Sequence, residues 1–254
     1  MVLINACGDG KTAAAYLHLR VRQELARDPG LKRFGTEIVD HPLAIMVGPL
    51  VDLGISQVEE MRKIGIHAVA LDSESISKAK THGVDLYEKV QSGEAPMVIL
   101  SPERLTEKKF DRMLRDKKLR QNIVAYIIDE AHIVLPWGTN FRKDYAEICR
   151  ARHRIPEGTP MLAMTATSRV GPMEDAFKRI LGLRKDHETI RRSCERTNVQ
   201  TIYKTLTHSL DGMDFPDIAW VARKDRKVII YCKTIDLCFR VASYISKMAQ
   251  TYSP

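Results

Sequence analysis

Two short stretches far apart in the chain carry complementary chemistry: Gly8-Asp9-Gly10-Lys11-Thr12 and Asp129-Glu130-Ala131-His132. The first follows the apolar run Met1-Val2-Leu3-Ile4. A glycine-rich turn between a strand and a helix offers backbone N–H groups and a helix N-terminus to a polyphosphate, and Lys11 adds a charge that can reach the β- and γ-phosphates. Thr12 supplies a hydroxyl for Mg²⁺. The second stretch follows Ile123-Val124-Ala125-Tyr126-Ile127-Ile128. An acid pair at the carboxyl end of a buried strand completes such a site, because Mg²⁺ prefers oxygen ligands and keeps waters that Asp129 can hold. Glu130 is then placed to orient or deprotonate an attacking water. Together the two stretches predict a nucleoside triphosphatase.

Such a site needs strands that end side by side, and the hydrophobic pattern supplies them. Helical spacing runs from Thr12 to Ala26, followed by a polar loop, Arg27 to Pro42. Strands are expected at Leu43–Val47, His67–Leu71, Met97–Leu100, Ile123–Ile128 and Met161–Met164, with helices at Leu50–Lys63, Val84–Ser92 and Glu107–Lys118. Short, continuously apolar strands alternating with helices imply an α/β fold, a parallel sheet flanked by helices on both faces, with ligands at the carboxyl ends of the strands. A second unit begins near residue 188. There Thr197–Tyr203 and Lys227–Cys232 read as strands and Thr234–Ala249 as a helix, too little for an independent α/β core.

The 254 residues, 44% hydrophobic and 28% charged, have an ordinary soluble composition. A net charge of +8 favours a polyanionic partner, although a solvated basic surface gives the same count. Five cysteines with no C-x-x-C pair suggest neither a disulfide framework nor zinc, and place the chain in a reducing, intracellular compartment. Cys7 reads as a small buried thiol. The longest apolar runs fall short of a membrane span, so no membrane partner is expected.

Four further segments occur in order: Gly48-Pro49-Leu50-Val51-Asp52-Leu53 with Gln57; Leu100-Ser101-Pro102-Glu103-Arg104-Leu105; Trp137-Gly138 with Phe141, Arg142 and Tyr145; and Met164-Thr165-Ala166-Thr167. With the first two stretches they resemble the motifs of superfamily 2 helicases of the RecQ type, a DEAH-box group. The resemblance implies a RecA-like P-loop domain over residues 1–187 and the start of a second RecA-like domain over 188–254, entered at Arg196-Thr197-Asn198 and reaching Ile229-Ile230-Tyr231-Cys232. It implies a 3′ to 5′ DNA helicase that uses ATP and Mg²⁺ on single-stranded and duplex DNA, with a nuclear location. Gly8, Asp9, Gly10, Lys11, Thr12 and Asp129 would hold the nucleotide and metal, with Lys11, Asp129 and Glu130 catalytic. His132, Thr165 and Thr167 would couple the site to motion, and Gln57, Arg104, Trp137, Phe141 and Arg142 would contact nucleic acid.

The chain also departs from that pattern. Asn5 stands where a strict phosphate loop has glycine, and Pro136, Thr139 and Asn140 replace the usual residues of the aromatic loop. The family's adenine-reading glutamine segment and the motifs beyond the second domain's first strand are not in the sequence, including an arginine finger worth about 10³ to 10⁵ in rate. A weakly active fragment is therefore expected. Two further readings stay open: a nucleotide- or DNA-binding protein without motor activity, and an enzyme acting on RNA, as the related Asp-Glu-Ala-Asp proteins do. Trp137, Phe141 and Tyr145 equally fit aromatic packing against the body.

Overall fold

Every strand of the first unit is parallel to its neighbours, which brings all their carboxyl ends to one edge. The computed structural model describes residues 1–28, 30, 39–48, 51–135, 145–223 and 227–252. It divides into two compact units, Met1–Arg196 and Thr197–Pro254.

In the first unit, β1 (Val2–Ile4), α1 (Lys11–Arg27), β2 (Leu43–Val47), α2 (Val51–Lys63), β3 (Ala68–Leu71), α3 (Ser73–Thr81), α4 (Leu86–Gln91) and β4 (Met97–Leu100) come first. After these come α5 (Lys108–Arg115), α6 (Lys117–Asn122), β5 (Ile123–Ile128), α7 (Tyr145–Arg152), β6 (Met161–Thr165), α8 (Pro172–Ile180) and β7 (Thr189–Arg191). The sheet order is β3-β4-β2-β5-β6-β1-β7. Apart from the edge strand β7, its strands are buried on both faces, as parallel strands between helical layers must be. Ile45, Val47, Tyr126 and Ile128 pack with Phe110 and Phe177 on one face, while Met46, Ile127 and Met164 pack with Leu19 and Met61 on the other.

Register then fixes what stands beside what. Ile4 is level with Thr165 and with Arg191, Ile128 with Ala163, and Val47 with both Ile128 and Leu100. The residues that follow, Asn5, Asp129, Ala166 and Ser101, therefore leave the sheet along one edge.

The elements depart from the sequence expectations at several points, among them an unexpected helix, α3. The charged run expected as one helix over Glu107–Lys118 is two, because Asp116 is extended (φ −65°, ψ 121°) and accepts a bond from the Leu119 amide at 2.9 Å, starting α6 afresh. The first unit continues past residue 187: Thr189–Arg191 pairs with β1 as the edge strand. In the second unit neither Thr197–Tyr203 nor Lys227–Cys232 forms a strand, and Ile229 and Tyr231 are 78% and 91% exposed. A strand needs a partner to satisfy its amides, and no strand lies among the described residues of that unit. It is instead built around α9 (Ile235–Tyr252). Phe215 packs edge-on against Tyr244 at 5.8 Å, and Arg240 bonds the carbonyls of Leu210 and Gly212.

Candidate nucleotide site and its neighbours

Between β1 and α1 the chain turns through Gly8 (φ 88°) and Gly10 (φ 73°), both left-handed, a conformation that glycine adopts without strain. A Cβ on Gly8 would meet nothing within 4 Å, so the glycine serves the backbone conformation and leaves open space over the loop. Gly10 caps α1 with no side-chain bond, leaving the first-turn amides at Lys11 and Thr12 for a ligand. Lys11 Nζ donates to the carbonyls of Asn5 (3.1 Å) and Ala6 (2.9 Å), which anchors its ammonium at the mouth of the loop. Asn5 proves to be an internal brace. It is 6% exposed, its Nδ2 donates to the Asp9 carbonyl, and its Oδ1 accepts from the Ala6 amide. Glycine in its place would lose both ties. Cys7 is exposed, as is the whole turn from Cys7 to Gly10 once the chain leaves the buried β1, so the buried-thiol expectation is corrected.

Asp129 leaves β5 with its amide on the Val47 carbonyl at 2.8 Å. One carboxylate oxygen accepts from the Glu130 amide at 3.0 Å, the other from Gln57 Nε2 at 3.1 Å. Gln57, expected on nucleic acid, is thus turned toward the acid from α2. Glu130 is the one non-glycine residue with positive φ (48°) among the described residues. Burial raises its carboxyl pKa, the neighbouring Asp129 charge raises it further, and Lys11 opposes both. A more basic carboxylate is the better proton acceptor.

His132 ties the acid strand to β6. Its Nδ1 lies 2.8 Å from Thr165 Oγ, 3.0 Å from Thr167 Oγ and 3.3 Å from Glu130 Oε2. Burial lowers its pKa against the opposing pull of Asp129, which favours the neutral ring. A neutral imidazole has one proton for two nitrogens, so Nδ1 either donates to Glu130 or Thr165, or accepts from a threonine hydroxyl. Thr165, fully buried, also accepts from the Thr167 amide at 3.1 Å, and its carbonyl receives the Asn5 amide at 3.2 Å. Phosphate loop, acid pair and Thr-Ala-Thr segment therefore form one bonded cluster.

Arg104 sits further along the same edge, in the 3₁₀ turn Pro102–Thr106 after β4. Its guanidinium is held by Glu107 and by Ser73 Oγ. Tyr87 donates to Glu107 at 3.2 Å, with its own pKa pushed up to about 12 by burial and the Glu107 charge, so it stays a donor. Trp137, Phe141 and Arg142 lie outside the described residues. Sequence reasoning missed the bracing role of Asn5 and the Gln57–Asp129 bond. Only the amide of Gln57 and its place midway along α2 hinted at the latter.

Residues 1–175 match the DEAD/DEAH box helicase family. The chain is 28% identical over 201 residues to the ATP-dependent DNA helicase RecQ of Haemophilus influenzae, covering 79% of this chain and 30% of that protein. It is equally 28% identical over 200 residues to the RecQ of Pasteurella multocida, again covering 79% and 30%. It therefore spans about a third of the length of these relatives. The crystal structure of the DUF1998 helicase MrfA bound to DNA and AMPPNP superposes with a TM-score of 0.65 at 14% identity, over 99% of this chain and 34% of that one. That likeness speaks to the fold, a RecA-like helicase domain. Among the described residues no helix is long and apolar enough to cross a membrane.

Proposed function

The chain belongs to the DEAD/DEAH box helicase family, and from that premise we propose that it is the nucleotide-hydrolysing part of a RecQ-type DNA helicase moving 3′ to 5′ on single-stranded DNA. The observation that carries the reading is the bonded cluster of Lys11, Asp129, Glu130, His132 and Thr165 at one sheet edge. The loop amides and Lys11 bind the triphosphate of ATP. Thr12 and Asp129 fit Mg²⁺, since both are oxygen donors and Asp129 is already oriented by Gln57. Mg²⁺ held there would neutralise charge on the phosphate oxygens. Glu130 orients the attacking water and takes its proton. His132 carries the change to Thr165 and Thr167 by exchanging partners at Nδ1. DNA rather than RNA is favoured by the RecQ relatives and by histidine at position 132. A second reading, nucleotide or DNA binding without motor activity, is favoured by the absence of strands among the described residues of the second unit.

The test is steady-state Mg-ATP hydrolysis by the whole chain with and without single-stranded DNA, beside Glu130→Gln and Lys11→Ala. Turnover stimulated by DNA but not RNA, and lost in Glu130→Gln, is expected. Nucleotide binding that depends on Lys11 with no turnover would select the second reading. Nucleotide binding indifferent to Lys11 would defeat the hydrolysing reading and leave only DNA binding of the second.

A further inference from the structure

One short stretch of the chain is strongly basic. Between Lys108 and Arg120 there are seven basic residues, Lys108, Lys109, Arg112, Arg115, Lys117, Lys118 and Arg120, against two acids, Asp111 and Asp116. This short stretch is net +5 in a chain of net +8. The structure puts the charge on one side. Phe110, Met113 and Leu114 of α5 and Leu119 of α6 are buried in the core, which turns Lys108, Lys109, Arg112, Arg115, Lys117 and Lys118 outward.

Internal pairing does not consume that charge. Asp111 is engaged by Arg115 and Arg154, Lys109 bonds Asp85, and Asp116 caps α6. Lys108, Arg112, Lys117 and Lys118 have no carboxylate partner among the described residues. A helix surface of like charges repels itself unless an anion neutralises it. The seat is rigid, because Arg154 also bonds the Leu105 carbonyl at 3.0 Å and so ties the start of α5 to the turn that carries Arg104.

The composition of the face selects among polyanions. Its one aromatic, Phe110, is fully buried, so it offers no platform on which unstacked bases could lie, as single-strand sites commonly do. Helix-borne ammonium and guanidinium groups suit instead a stiff backbone with its bases stacked inside. We propose that the outer face of α5 and α6 binds the phosphate backbone of duplex DNA, at a place separate from the Asp129 site. The proposal rests on the DNA-helicase reading.

The test uses the whole chain with Lys108, Arg112, Lys117 and Lys118 all changed to Gln. A control variant, with Arg62, Lys63, Arg179 and Lys185 changed to Gln, loses the same charge from other exposed positions. Binding of a labelled blunt duplex and of a single strand is followed by anisotropy between roughly 50 and 200 mM salt. Every phosphate that is no longer neutralised takes about 0.9 off the slope of log K against log salt, so the first variant should lose about 2 to 4 on the duplex. Its duplex affinity should fall at least tenfold at low salt, with single-strand affinity and the control variant close to the parent protein. Equal losses in both quadruple variants, or on both DNA forms, would overturn the proposal. A parent protein that binds neither DNA form would overturn it together with the helicase reading, whereas intact parent binding with an unchanged first variant overturns the proposal alone.

Discussion

At Glu130 two costs meet in one side chain. A left-handed non-glycine residue stores about 1 kcal/mol of backbone strain, and burial works against the ionised carboxylate. A carboxyl whose folded pKa is raised adds stability below its unfolded pKa, about 4.3, and that contribution is lost as pH rises through the folded value. Glu130→Gln should therefore melt above the parent protein at neutral pH, with the gap closing in acid. Glu130→Gly should relieve the strain as well and raise Tm by about 2–4 °C, while abolishing hydrolysis. Calorimetry across pH decides it, and a Tm gap that stays constant into acid would refute the linkage. At Gln57 the bond to a charged acceptor predicts that Gln57→Ala weakens Mg²⁺-dependent nucleotide binding about 10- to 100-fold and leaves metal-free binding alone. A Mg²⁺ titration with a fluorescent nucleotide reads this directly, and an unchanged midpoint would remove Gln57 from the site.

Elements were legible where burial dominates and obscure where local capping or distant pairing decides. The strands at Leu43–Val47, Met97–Leu100 and Ile123–Ile128 are apolar on both faces and stand where their pattern puts them. The break at Asp116 is a capping choice inside a charged run, which periodicity smooths over. β7 is three exposed residues, Thr189–Arg191, that become a strand only because β1 lies beside them. The Gly-Lys-Thr and Asp-Glu-Ala-His stretches are contiguous and readable, whereas the Gln57–Asp129 and His132–Thr165 contacts exist only after β2, β5 and β6 are set side by side. Tyr126 makes a similar long-range tie, its hydroxyl donating to the Ile148 carbonyl of α7 at 2.9 Å in the buried layer. Tyr126→Phe removes that bond while the Ile148 carbonyl keeps its place in the α7 ladder, and should cost about 0.5–1.5 kcal/mol in urea unfolding. A cost near zero would show that α7 is not held through this bond.

For the whole molecule, the core belongs to the first unit. The buried clusters on both sheet faces draw on residues up to Leu183, all within Met1–Arg196. That unit expressed alone should unfold in a single transition at the temperature of the intact chain's main transition. A large drop in that temperature would mean that the second unit contributes to the core's stability. The parallel arrangement has a further consequence. Since the chemistry is confined to the carboxyl edge, the turns entering β3 and β6 on the opposite edge are bystanders to it. Gly65 and Gly158 there are left-handed and open around the missing Cβ, whereas the turn at Gly93 is closed against His41 at 2.8 Å. A fluorescent reporter or affinity handle spliced at Gly65 or Gly158 would ride on the scaffold without touching the catalytic edge, while one at Gly93 would jam.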